Sequence, residues 1–289
     1  MPFIANTEAE RQEMLQLLGC ESVEELWSKA QIPVASNDFS HIAAGLTELE
    51  AGKKLQGMAA KNSTDLTYFV GMGYYDHFIP AAVSEIIGQA GFYTAYTPYQ
   101  PEASQGTLQA IFEWQSAIAR LTGMEVANAS LYDGGSAVFE AMAMALRSSR
   151  KRKQVIVSEA MSPIYRKMLN TYSANLDCEI KTISADKETS SIKELSEALS
   201  EDTACVIVQY PNVFGTIEDW TEFVAEAKAK SVICIAACYP TALSLLKTPG
   251  EFGFDIVVGE GQPLGLNLSF GGPYLGYMCT TTNLVRRMP

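Results

Sequence analysis

Apolar positions change their period along the chain. From Thr7 to Asn62 they recur three and four residues apart, which predicts helices over 8–18, 23–29 and 46–60. Pro33 and Ser36-Asn37-Asp38 interrupt them. This predicts an N-terminal helical arm, residues 1–62, beside a main body, residues 63–289. Within the body a helix is expected from Ser104, a candidate N-cap, to about Leu121, with Gly123 as its stop. Beyond it, apolar runs at 126–131, 154–158, 178–183, 204–208, 232–236, 254–258 and 274–279 alternate with mostly helical stretches near 136–148, 162–174, 190–200, 219–230 and 241–247. Strands separated by helices imply right-handed crossovers, so the fold class is α/β, with a mainly parallel sheet covered by helices on both faces.

One stretch fits neither period. Between Val70 and Gln105 the chain is rich in glycine, tyrosine and proline, as in Gly71-Met72-Gly73-Tyr74-Tyr75 and Gly91 to Pro101. Apart from a short helical turn near 82–87, it reads as a long aromatic loop. So many aromatic residues argue for an ordered and functional loop, here bounded as 91–105.

Composition narrows the classes. The 289 residues carry 33 acidic and 21 basic side chains, a net charge of −12, with 47% hydrophobic residues. A folded domain with no nucleic-acid or anionic-membrane partner is expected. The basic run Arg150-Lys151-Arg152-Lys153 is the local exception and reads as a solvated helix end. No signal peptide is legible at Met1 to Glu10. The uncharged stretch from Gly261 to Val285 is broken by Pro263 and Pro273, so no membrane span is expected and a cytoplasmic location is. The six cysteines sit mostly in apolar runs and read as reduced core residues; with two histidines, no metal site is expected.

Candidate chemistry is sparse. Asp133-Gly134-Gly135-Ser136 joins a predicted strand to a predicted helix, where exposed amides could seat a phosphate; plain capping of the helix is the competing reading. His77, in Tyr75-Asp76-His77-Phe78, reads as a satisfied, partly buried side chain, and His41 has no evident partner. No nucleophile elbow, paired carboxylates or Ser/His/Asp order stands out.

Several longer motifs resemble one family. Tyr93-Thr94-Ala95-Tyr96-Thr97-Pro98-Tyr99-Gln100-Pro101-Glu102-Ala103-Ser104-Gln105-Gly106 is similar to the signature of the glycine decarboxylase P-protein, in particular of its split-type subunit 1. Gly73-Tyr74-Tyr75, Ala127 to Asp133, Gly259 to Gly265 and Ser269 to Gly276 resemble it too, so the likeness extends over 73–276. The resemblance implies a fold-type-I pyridoxal-phosphate (PLP) architecture. It also implies the glycine cleavage reaction, in which glycine loses carbon dioxide and its aminomethyl group passes to the lipoyl arm of the H-protein.

In that family an Asp at the end of a core strand pairs with the cofactor's ring nitrogen, and a lysine further on forms the Schiff base. Here Val232 to Ala236 runs into Ala237-Cys238-Tyr239-Pro240 without an acid, and no lysine follows Lys247. Gly259 to Pro263 occupy the place where the lysine belongs, Gln262 cannot form an imine, and Asp255 reads as a surface or capping residue. The resemblance then implies that PLP is bound covalently by subunit 2 as partner, and that this chain is not active alone. Gly134-Gly135-Ser136 becomes a vestigial phosphate loop.

By the same resemblance, Tyr93, Tyr96, Thr97, Tyr99, Gln100, Glu102, Ser104 and Gln105 form the substrate or partner-active-site interface, with no catalytic residue assigned in this chain. For the tyrosines interface packing is the alternative role, and for Glu102 a favourable charge at a helix start. The family's smaller C-terminal domain is expected to be absent from this chain. Two other functions remain: a structural or regulatory paralogue, and a self-sufficient fold-type-I PLP enzyme.

Overall fold

A computed structural model of the chain describes residues 5–33, 39–67, 69, 71, 73, 75–92, 97–149, 151–269 and 271–289. The chain divides into two compact units, residues 1–67 and 68–289. The first holds α1 (Glu8–Leu17), α2 (Val23–Lys29) and α3 (Glu48–Ala59). Thr7 and Thr47 begin α1 and α3 with reciprocal capping boxes, Glu10 and Glu50 reaching back to the cap amides at 2.6 and 2.9 Å. Hydrogen bonds from Thr7 and Thr47 hold both carboxyls below their ordinary pKa.

The second unit begins with α4 (Ala81–Ile87), α5 (Gln105–Thr122), β1 (Val126–Ala127), α6 (Gly134–Ser148), β2 (Gln154–Ser158), α7 (Pro163–Tyr172) and β3 (Glu179–Ile183). It continues with β4 (Ala185–Asp186), β5 (Thr189–Ser190), α8 (Ile192–Ala198), β6 (Thr203–Tyr210), α9 (Thr221–Ala229) and β7 (Ile233–Cys238). It ends with α10 (Pro249–Phe252), β8 (Ile256–Glu260) and β9 (Gly276–Thr280). The main sheet has the order β1-β9-β8-β7-β6-β2-β3. Strands β3, β2, β6, β7 and β8 are parallel, while β9 returns antiparallel to β8 and β1 antiparallel to β9.

Alternation within these strands builds two cores. Val206, Val208 and Tyr210 of β6 face Trp220, Phe223 and Val224 around α9. Cys205 and Ile207 face the other way, onto Ala141, Met142 and Ala145 of α6. Both faces are therefore dry, which is why the strands read as continuous apolar runs.

The mainly parallel α/β body matches the expectation, with local corrections. The run 126–131 pairs only at Val126–Ala127, with an isolated bridge from Leu131 to Gly276. The stretch 241–247 is not an α-helix: Pro240 opens a 3-10 turn to Ser244, and α10 follows at a second proline. Ser104 does precede α5, but its side chain makes no cap bond; Gly123 stops the helix at φ 71°, as expected. In the basic run Arg150 lies outside the described residues and Lys151 is exposed, as a solvated end would be, but Arg152 and Lys153 are bonded. Arg152 Nη1 lies 3.0, 3.1 and 2.9 Å from the carbonyls of Thr203, Lys230 and Ser231, and Lys153 pairs with Asp177. Among the described residues no helix is long and apolar enough to cross a membrane.

Candidate functional site at the carboxyl end of the sheet

In parallel α/β sheets the ends of the strands and the starts of the following helices converge on one edge. Here that edge gathers the N-terminus of α6, the turn before α7, and the ends of β6, β7 and β8. Asp133 caps α6: its Oδ1 accepts from Ser136 N at 2.8 Å and its Oδ2 from Ser136 Oγ at 3.0 Å. The amide of Gly134 is turned to a different acid. Glu260, the last residue of β8 and 1% exposed, accepts from Gly134 N through Oε2 at 2.9 Å. Its Oε1 accepts from Gln262 N at 3.1 Å and Leu275 N at 3.3 Å. Burial pushes this carboxyl above its ordinary pKa, and the three amides pull against that shift.

The paired glycines make this closeness possible. A Cβ on Gly134 would stand 2.3 Å from Tyr165 Oη, and one on Gly135 would stand 2.2 Å from Met168 Sδ. The Asp133-Gly134-Gly135-Ser136 loop therefore opens α6 as foreseen, with Gly134 N and Ser136 N donating to carboxylates of the chain itself.

Across the same edge, Tyr239 follows β7. Its hydroxyl lies 2.5 Å from His77 Nε2; their rings stack with centroids 5.8 Å apart, and Tyr75 meets Tyr239 edge-on at 5.1 Å. Burial holds the Tyr239 phenol above its ordinary range, so it keeps its proton at neutral pH. His77 is thus the satisfied, partly buried histidine expected. Between these groups Ser162 N donates to Gln209 Oε1 at 2.8 Å, while Ser162 Oγ is buried without a partner. Ser162, Gln209, Tyr165, Tyr239 and Glu260 line a cavity of about 20 Å³, room for one water. Gln262 donates to Leu266 O and leaves its Oε1 unpaired. Asp255, which precedes β8, accepts from Cys234 N at 2.9 Å and pairs with Lys228 at 3.2 Å, a capping role.

The described loop residues lie elsewhere. Tyr93 and Tyr96 lie outside the described residues. Thr97, Tyr99, Gln100 and Glu102 are exposed in a run of turns, with Tyr99 N bonded to Thr97 O and Ala103 N to Gln100 O. Ser104 is buried and Gln105 exposed at the start of α5. None of these described residues lines the cavity beside Glu260. Tyr99 is 85% exposed, like Tyr132 at 87%. Among the described residues no group of three or more His, Cys, Asp or Glu is placed to hold a metal.

Sequence reasoning passed over Glu260 and the His77–Tyr239 pair. A signal for the first exists: Glu260 ends the apolar run from Ile256 to Gly259, and the next charged residue is Arg286. An isolated acid in such a run has to be bonded internally. The second pair spans 162 residues and leaves no local trace.

The whole chain, residues 1–289, matches the family described as glycine cleavage system P-protein. It is 50% identical over 289 residues to the probable glycine dehydrogenase (decarboxylating) subunit 1 of Maridesulfovibrio salexigens, covering 100% of this chain and 65% of that protein. A crystal structure of glycine decarboxylase (P-protein) of the glycine cleavage system, in inhibitor-bound form, superposes with a TM-score of 0.88 and 37% identity over 100% of this chain and 65% of that one. A sphingosine-1-phosphate lyase structure from Burkholderia pseudomallei, at 12% identity and TM-score 0.64 over 90% of this chain and 64% of that one, shares the fold alone. The chain thus spans about 65% of the length of the curated relative it matches.

Proposed function

The chain belongs to the glycine cleavage system P-protein family, and from that premise we propose that it is the half of a split glycine decarboxylase that does not carry the cofactor. With a PLP-bearing subunit 2 it would decarboxylate glycine and deliver the aminomethyl group to the lipoylated H-protein. PLP, when bound by that partner, supplies the electron sink for loss of carbon dioxide. This chain supplies an aromatic face that helps enclose the partner's active site.

The observation that carries the reading is the carboxyl end of the sheet, which the described residues fill with the Glu260 carboxylate. Among the described residues, the cavity beside Glu260 and Tyr239 measures about 20 Å³, room for one water and not for a pyridine ring. No lysine lies between Lys247 and Pro289, and Gly134 N and Ser136 N at the start of α6 already donate to Glu260 and Asp133. These residues do not fit PLP, so no step is routed through them. The exposed Tyr99, Tyr132 and Phe78 support the second half of the reading, since exposed aromatic side chains are enriched on surfaces that pack on another chain. In the 91–105 segment, Tyr96, Thr97 and Gln100 are the candidates to position the glycine carboxylate and exclude water, and Tyr93, Tyr99, Glu102, Ser104 and Gln105 to support the contact.

Reconstitution with subunit 2 tests this. Tyr96→Phe and Gln100→Ala should each lower glycine–bicarbonate exchange while the complex stays assembled by gel filtration. Unchanged exchange in both, with the complex intact, would assign the chain a scaffolding role instead. A visible imine band in this chain alone, fixed by borohydride on one lysine, would overturn the assignment.

A further inference from the structure

The contacts of Glu260 exceed what a helix cap requires. Asp133 already caps α6 by accepting from Ser136 N, so an ordinary cap is complete without Glu260. The Gly134 amide is nevertheless joined by two others, from the turn after β8 and from the segment before β9, and all three converge on one carboxylate. Backbone N–H groups from separate segments, meeting at the start of a 15-residue helix, form the donor set that binds phosphate and similar oxyanions. A second feature points to a ligand-shaped remnant. Ser162 Oγ, in a residue 2% exposed, has no partner and lines the same small cavity as Glu260.

We propose that Glu260 is a built-in anion: its carboxylate fills an oxyanion seat made by the amides of Gly134, Gln262 and Leu275, and so closes this chain to phosphate-bearing ligands. The close approach is enforced on several sides. A Cβ on Gly134 would lie 3.0 Å from Glu260 N, and one on Gly276 would lie 2.4 Å from Asp133 O. A phosphate entering the seat would displace the carboxylate from its three donors or meet it as a like charge, with Asp133 adjacent. The inference rests on the reading that the cofactor is held by the partner. It adds a reason beyond the missing lysine: the phosphate's place is taken.

The test measures oxyanion binding to this chain without its partner, so its failure is distinct from failure of the exchange assay. Wild type, Glu260→Gln and Glu260→Ala are compared by thermal denaturation and titration calorimetry in inorganic phosphate against chloride at matched ionic strength. The wild-type chain should show no phosphate-specific stabilisation. Glu260→Ala should bind phosphate saturably, about tenfold or more tighter than wild type, a difference of about 1.4 kcal/mol, and its melting temperature should rise with phosphate. PLP should compete for the site, and pyridoxal without its phosphate should not. Glu260→Gln, which keeps the side-chain volume, should gain less than Glu260→Ala.

If Glu260→Ala does not fold in chloride, phosphate should restore its refolding yield where chloride at equal ionic strength does not. A folded Glu260→Ala with no phosphate response, a refolding yield indifferent to phosphate, or a wild-type chain that binds phosphate equally well would each overturn the proposal.

Discussion

Glu260 Oε2 accepts a 2.9 Å hydrogen bond from the amide of Gly134, a residue 126 positions earlier. That bond ties the end of β8 to the start of α6 and places a buried acid at the edge where this fold usually receives ligands.

Its titration should be visible in stability. Burial raises the folded pKa of Glu260, so the folded state takes up the proton first as pH falls. The associated stability is present below the unfolded carboxyl value of about 4.3 and is lost as pH rises through the folded value. Glu260→Gln does not titrate there. The stability of wild type relative to this variant should therefore increase on acidification from pH about 7 to about 4, followed by urea denaturation. A decrease would mean that the three amides outweigh burial.

Tyr239→Phe keeps the ring and removes the hydroxyl that meets His77 Nε2. Loss of this half-buried bond should cost about 0.5–1.5 kcal/mol. Hydrogen exchange should accelerate around 75–80, because that tether joins the segment to the sheet edge. Exchange that rises equally over the whole sheet would contradict a local tether.

Arg152→Ala should destabilise the second unit by about 1–3 kcal/mol, since three backbone carbonyls lose a charged donor. Lys151→Ala, exposed in the same basic run, should stay within about 0.5 kcal/mol of wild type. Equal effects in chemical denaturation would mean that the run acts only through its net charge.

Tyr99→Ser and Tyr132→Ser should leave the melting temperature of this chain nearly unchanged, because both rings are exposed. Each should weaken association with subunit 2 by about 1 kcal/mol or more if the ring is an interface anchor. Calorimetry of the two chains reads this directly, and unchanged affinity in both would remove the aromatic face from the interface.

Much of this molecule was legible before folding. Thr7 with Glu10 and Thr47 with Glu50 announce helix starts because a capping box is complete within four residues. The runs that became β6, β7 and β8 announce buried parallel strands because both of their faces must be apolar. Gly123 stops α5 because it adopts a positive φ. The expected helix near 241–247 is instead a 3-10 turn opened by Pro240, because apolar content alone does not separate the two. Ser104 shows the same limit: the residue type suits a cap, but its backbone does not present the hydroxyl to the helix amides.

The sequence alone determined the α/β class, the glycine pair at the head of α6 and the lack of a lysine between Lys247 and Pro289, because these depend on residue type and short-range period. Tertiary structure decided what fills the carboxyl edge of the sheet. Glu260 finds Gly134 and Leu275, and Tyr239 finds His77, only once β7, β8 and β9 lie side by side. Such contacts join distant segments through single hydrogen bonds, and a buried acid reveals its partner only when the backbone amides around it have been brought into place.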